Sequence, residues 1–171
     1  MKRTFAALGV IVAGLTLFRA GVEACGDKSL SIGGVRLERA RAARYPASIL
    51  ILSQPNSRMP AAARELKLQY TLQEVGYTYR EVTSVADAEA ALASGQFNIV
   101  MADVTDESDL QQRLQGSPSR PVVVAVAYKL TKTETSQAQK QYRFLVKAPS
   151  TSKQYLNTIA EAVRSRPSVR Q

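Results

Sequence analysis

The chain of 171 residues contains no histidine and no tryptophan, a single cysteine, and aromatic residues at only 6% of its positions. Without histidine there is no His-based nucleophile triad and no imidazole ligand for a metal. Cys25 has no second cysteine to pair with, so an oxidising compartment would leave it acylated, joined to another chain or free. Glycine is sparse and is not arranged as a phosphate cradle. The SIGG string at Ser31–Gly34 precedes no strand-to-helix unit, and the turn SQPNSRM at Ser53–Met59 has no glycine at all. A serine-centred hydrolase elbow is missing too. No charge-free apolar run reaches the roughly 20 residues of a comfortable transmembrane helix. These absences leave catalysis little to rest on and imply neither a metal nor a cofactor.

What is present describes one packed domain with an appendage. Apolar residues make up 45% and charged residues 22%, ordinary values for a globular chain. The length leaves no room for a second full domain. Basic residues outnumber acidic ones by 23 to 14, giving a net charge of +9 and an isoelectric point near 9.9. Such a balance favours acidic partners. Arg36, Arg39, Arg41 and Arg44 crowd one stretch, however, and Arg164, Arg166 and Arg170 sit near the end, with the remainder scattered. Neither aromatic interleaving nor a recognition helix accompanies them, so nucleic acid is not the expected partner.

Lys2 and Arg3 precede the uncharged run TFAALGVIVAGLTLF, Thr4–Phe18, and the small residues Ala20, Gly21 and Ala24 follow it. This is the pattern of a secretory signal over residues 1–24, with an uncleaved anchor as the alternative. VEAC at Val22–Cys25 resembles a bacterial lipobox at its outer positions, although Glu23 and Arg19 depart from it. Cys25 is therefore a candidate lipidation site, and residues 1–24 or Cys25 a candidate route to the membrane. Residues 25–46 read as a basic tether. Its stretch VRLERARAARY could form a short helix but offers too little apolar surface to stand alone, and it would lie on the domain or on a membrane surface.

From Ala47 to Arg166 strand and helix patterns alternate five times. ASILIL at Ala47–Leu52 is a continuous aliphatic strand. Pro60 opens a helix predicted to run to Val75, with Ala62, Leu66, Leu68 or Gln69, Leu72 and Val75 as its apolar stripe and Gly76 as its stop. YTYREV at Tyr77–Val82 alternates as a partly exposed strand. Ser84 then caps a helix from Val85 to Ser94 that ends at Gly95. FNIVMADV at Phe97–Val104 reads as a strand covered on both sides. A helix from Asp106 to Leu114 follows, with Asp106, Glu107 and Asp109 in its first turn. PVVVAVAY at Pro121–Tyr128 is the most strand-like run, Thr131–Gln141 a polar helix or loop, and YRFLVKA at Tyr142–Ala148 the fifth strand. Ser150 or Thr151 caps a final helix, Ser152–Arg164, with Tyr155, Leu156, Ile159 and Val163 on one face; residues 167–171 form a tail. Such alternation implies an α/β, doubly wound, five-stranded parallel sheet with right-handed connections.

The order and lengths of these elements resemble the receiver domain of bacterial response regulators, a flavodoxin-like fold, over residues 47–166. The stretch from Leu72 to Asp103, LQEVGYTYREVTSVADAEAALASGQFNIVMAD, is similar to the receiver segment ending in the phosphoacceptor, and FLVKAP at Phe144–Pro149 is similar to its fifth-strand motif. The resemblance implies strand order 2-1-3-4-5, with Asp103 in the phosphoacceptor position and Lys147 in that of the receiver lysine. A receiver binds Mg²⁺ through acidic residues at the end of its first strand, because a hard cation seeks oxygen ligands. Those positions fall on Ser53 and Gln54, neither of them anionic. The hydroxyl that senses the phosphoryl group should stand near Val126, and Thr131 is too far along to replace it.

The expectation is a degenerate pseudo-receiver without phosphotransfer, held outside the cytoplasm and serving as a module for binding a protein partner that no motif names. Receivers associate through the fourth helix, fifth strand and fifth helix, here about Thr131–Val163. Asp103 and Lys147 are expected to form an ion pair at the carboxyl edge of the sheet. One alternative is a small-ligand or redox accessory domain using the crevice near Ser53, Asp103 and Lys147. Another is a membrane-anchored, phosphoaccepting receiver.

Overall fold

A computed structural model of the protein describes residues 32–106, 110, 114 and 116–166. The expectations placed on residues 1–24, on Cys25 and on the 167–171 tail lie outside the described residues. The elements are α1 (Ile32–Arg44), β1 (Ser48–Leu52), α2 (Met59–Glu65), α3 (Leu68–Val75), β2 (Thr78–Val82), α4 (Val85–Ala93), β3 (Ile99–Asp103), β4 (Val122–Tyr128), α5 (Lys132–Gln141), β5 (Leu145–Ala148) and α6 (Ser152–Arg164).

The five strands form one all-parallel sheet in the order β2-β1-β3-β4-β5. The three inner strands are the continuous aliphatic runs, because a strand covered on both faces has no side left for polar residues. Ile49, Ile51, Ile99, Met101, Val124 and Val126 form one core with α2, α3 and α6. Leu50, Leu52, Val100 and Ala102 form the second with α4, Leu110 and Leu114. Leu110 and Leu114 are buried helical positions of the segment expected from Asp106 to Leu114, in which Glu107 and Asp109 lie outside the described residues.

The helix predicted from Pro60 to Val75 is two helices. A continuous helix turns about 200° between Leu66 and Leu68, so it could bury only one of them. The chain instead breaks at Lys67, whose φ of 49° is left-handed, and both leucines become buried. Tyr155 of α6 donates its hydroxyl to the Leu66 carbonyl at 3.1 Å, satisfying a group that the break would otherwise orphan.

From Ile32 to Arg44 the basic segment is a helix seated against α3 and α6. Ala42 enters the core, and Glu38 is 6% exposed. Arg41 bridges Glu38 at 3.1 Å and the Asn157 side chain at 2.7 Å, while Arg39 donates to the Glu74 carbonyl. Side-chain hydrogen bonds and one small apolar residue thus dock a helix with too little apolar surface to fold by itself.

The remaining helix ends follow local chemistry. Ser84 caps α4 by accepting from the Asp87 N–H, and Thr151 with Gln154 forms a capping box on α6. The polar Thr131–Gln141 segment is a regular helix from Lys132 because Thr131 and Glu134 form a second capping box. That hydrogen bonding holds the Glu134 carboxyl below its ordinary range. Among its described residues only Ala138 is buried.

Candidate functional site

The carboxyl edge of the sheet gathers Ser53, Gln54, Asp103 and the turn after β3. Parallel register places Asp103 beside Val126, and Val126 beside Val146. These three share one face, since side chains of paired residues on neighbouring strands point the same way. Val126 is fully buried, so the position beside Asp103 on β4 carries a methyl surface rather than a hydroxyl.

Asp103 is 1% exposed and its carboxylate is engaged on both oxygens. Oδ1 accepts from the Thr105 N–H and hydroxyl, each at 2.9 Å, and Oδ2 accepts from the Arg58 N–H at 3.0 Å. The Thr105 contacts form an Asx-turn, the local closure that a strand-terminal Asp-x-Thr favours. The Arg58 contact ties β3 to the start of α2, so Asp103 acts as a bracket for both loops at this edge.

Lys147 is not brought to Asp103. It pairs in register with Ala127, one residue past Val146, and strand alternation turns it to the opposite face. Lys147 is exposed, and among the described residues no ion pair joins it to Asp103. The expected pair is therefore corrected: the fifth-strand motif gives Lys147 the right distance along the chain but the wrong side of the strand. At the outer edge of the sheet it borders a depression of about 420 Å³ with Pro149, Ser150, Gln154, Asn157 and Thr158, a lining that includes neither Ser53 nor Asp103. Lys147 thus stands apart from Ser53 and Asp103, with which it was expected to share a crevice.

Among the described residues no other cation substitutes for it. Arg58 turns its guanidinium to the Tyr128 carbonyl at 3.4 Å, and Lys129 lies over the Tyr128 ring with its ammonium 3.8 Å from Glu65. Thr131, at the N-terminus of α5, is occupied by Glu134.

Ser53 is 3% exposed and donates its N–H to Val82 across the edge. The Gln54 side chain stands beside Asp106, close enough to lower its carboxyl pKa. Asp106, which the sequence suggested only as a helix-start acid, stands close enough to Asp103 to feel its charge. Burial, followed by the Asp103 charge, pushes the Asp106 carboxyl above its ordinary value, against the lowering effect of hydrogen bonds from Gln54 and Thr105. Its Oδ2 is buried without a hydrogen-bond partner among the described residues.

Mg²⁺, the ion that receiver chemistry implies, requires near-octahedral oxygen ligands and usually one or two free carboxylates. This donor set does not fit it. The lone pairs of Asp103 already accept three hydrogen bonds, the Asp106 carboxyl is partly buried and repelled by the Asp103 charge, and Ser53 and Gln54 bring no charge. Among the described residues no group of three acidic or cysteine side chains could hold a metal ion.

No family model matches the chain, and no curated protein matches it. Solved structures do. A response regulator receiver protein from Burkholderia phymatum is 18% identical, with a TM-score of 0.51 over 72% of this chain and 99% of that one. A protein described as pilus assembly-related, from Burkholderia pseudomallei, is 17% identical, with a TM-score of 0.48 over 69% of this chain and 90% of that one. The Vibrio cholerae chemotaxis protein CheY4 is 12% identical, with a TM-score of 0.47 over 68% of this chain and 98% of that one. The likeness is one of fold, and the fold is receiver-like.

Proposed function

We propose that the protein is a non-catalytic pseudo-receiver that works outside the cytoplasm as a protein-interaction module. The observation that carries this reading is the state of Asp103: buried, with both carboxylate oxygens accepting hydrogen bonds and Lys147 on the other face of the sheet. Phosphoryl transfer needs an accessible nucleophile, a divalent ion beside it and a cation to balance the charge developing on the transferred group. Here the would-be nucleophile is a structural bracket. The Ser53 and Gln54 substitutions and the Val126 methyl surface point the same way.

Location rests on the sequence. The Lys2–Ala24 segment has the layout of an export signal, with Cys25 as candidate lipid attachment. No described helix is long and apolar enough to cross a membrane. Outside the cytoplasm the domain would have no phosphodonor, which is consistent with loss of the acidic pair. The surface offered to a protein partner is that of α5, β5 and α6. Its supports are the outer edge of β5, paired on one side only, and the largely exposed α5.

Incubation with acetyl phosphate and millimolar Mg²⁺, followed by intact-mass measurement, tests the non-catalytic part. The expected result is no hydroxylamine-sensitive adduct. A phosphoryl mass that appears on the wild type and vanishes in Asp103→Asn would make the domain a working switch. Fusion of alkaline phosphatase after Arg166 tests location: an active fusion supports export, and an inactive, stable one rejects it.

A further inference from the structure

The outward face of α1 has an unusual composition. Glu38, its one acidic residue, is turned inward and paired with Arg41. At 100° per residue, Ala43, Arg36, Ala40, Arg44 and Leu37 fall on one contiguous arc, with Arg39 on its flank, and all six are exposed. Leu37, at 61% exposure, is one of two large apolar side chains left in solvent among the described residues. A solvated helix face ordinarily mixes both signs of charge. This one carries cations and apolar groups alone.

We infer that this face lies on the surface of an anionic phospholipid bilayer, with Arg36 and Arg44 against headgroup phosphates and Leu37 seated at the acyl boundary. The inference goes beyond a partner-binding module by fixing which side of the domain faces the membrane. Two observations select lipid as the occupant. The first is charge complementarity, because anionic lipid attracts clustered arginines, each contributing on the order of fivefold to partitioning and the two roughly 25-fold together. The second is the chain that leads into α1: residues 1–31 include the uncharged run Thr4–Phe18 and the candidate lipid-bearing Cys25, either of which would hold the helix near a bilayer and raise its effective concentration there. One leucine is too little apolar surface for deep insertion, so the contact is shallow and charge-dependent.

The geometry also sets orientation. α1 packs on α3 and α6, on the sheet face opposite α4. Placing α1 on lipid therefore points α4 away from the bilayer.

The test uses the full chain in the Cys25→Ser background, reconstituted into vesicles of phosphatidylcholine alone or with one third phosphatidylglycerol, about 0.3 mole fraction. An environment-sensitive fluorophore is attached at Leu37→Cys or, as control on the opposite face, at the exposed Ala90→Cys. The expected result is a blue shift at position 37 in the anionic vesicles only, with no shift at position 90. Arg36→Gln with Arg44→Gln should abolish it, as should high salt, while leaving circular dichroism unchanged. Equal signals at position 37 in neutral and anionic vesicles would overturn the inference. So would the same shift with soluble polyglutamate and no vesicles, which would assign the face to an acidic protein. Failure here would not touch the acetyl phosphate result, so the two proposals fall separately.

Discussion

The hydroxyl of Tyr155 in α6 donates to the carbonyl of Leu66 at the break between α2 and α3, joining residues far apart in sequence across a buried contact. The break is what lets Leu66 and Leu68 both reach the core, and Tyr155 supplies the hydrogen bond that the interrupted helix can no longer make. Tyr155→Phe keeps the ring and removes only that donor. It should cost about 1–3 kcal/mol, because it leaves a buried carbonyl without this partner. Urea denaturation measures this directly, and an unchanged midpoint would mean that the Leu66 carbonyl is satisfied without Tyr155.

Val100 sits at the centre of β3, fully buried between β1 and β4. Val100→Asp would place an unpaired carboxylate where no water or cation can reach it, at a cost comparable to the stability of a small domain. The variant should be insoluble or lack a cooperative melt. A soluble, cooperatively melting variant would contradict the burial of this face.

The inner strands were legible in the sequence because burial on both faces forbids alternation, so ASILIL, FNIVMAD and PVVVAVAY could not be amphipathic surface elements. The cap at Ser84 was legible, and that of α6 was narrowed to Ser150 or Thr151, because such hydrogen bonds are local. The break at Lys67 was not, since a left-handed lysine carries no composition signal; its trace was the unresolved choice between Leu68 and Gln69. The misplacement of Lys147 has a similar origin. A motif fixes position along a strand, but the face depends on the β4–β5 register, which is a long-range property. At Asp103 the Asp-x-Thr string could have suggested the Asx-turn, whereas the Arg58 N–H could come only from the fold.

Arg41 links α1 to the domain through Asn157 of α6 and pairs within α1 with the buried Glu38. Arg41→Met should loosen α1 by leaving Glu38 buried without its cation, and Glu38→Gln added to it should restore part of the loss. The coupling between the two changes, in a double-mutant cycle, should be about 0.5–3 kcal/mol. Additive effects would show that the pair does not hold α1, and hydrogen exchange across Val35–Arg44 would report the loosening itself.

Asp106 offers a pH-dependent test of the site. Burial and then the Asp103 charge raise its folded-state pKa above the ordinary 3.8. The folded protein therefore keeps this proton to a higher pH than the unfolded chain does. The stabilisation from the bound proton is complete below the ordinary value and is lost as pH rises through the raised one. At neutral pH the ionised carboxylate is consequently a liability, with Oδ2 lacking a partner among the described residues and Asp103 repelling it. Asp106→Asn removes the charge while keeping the shape, so the variant should melt at a higher temperature than wild type near pH 7. The difference should shrink as pH falls through the raised value toward the ordinary 3.8, as the wild-type group itself takes up the proton. A melting difference that stays constant across this range would show that Asp106 titrates as an ordinary surface acid, and a variant less stable at neutral pH would mean that its contacts with Gln54 and Thr105 outweigh the burial of its charge.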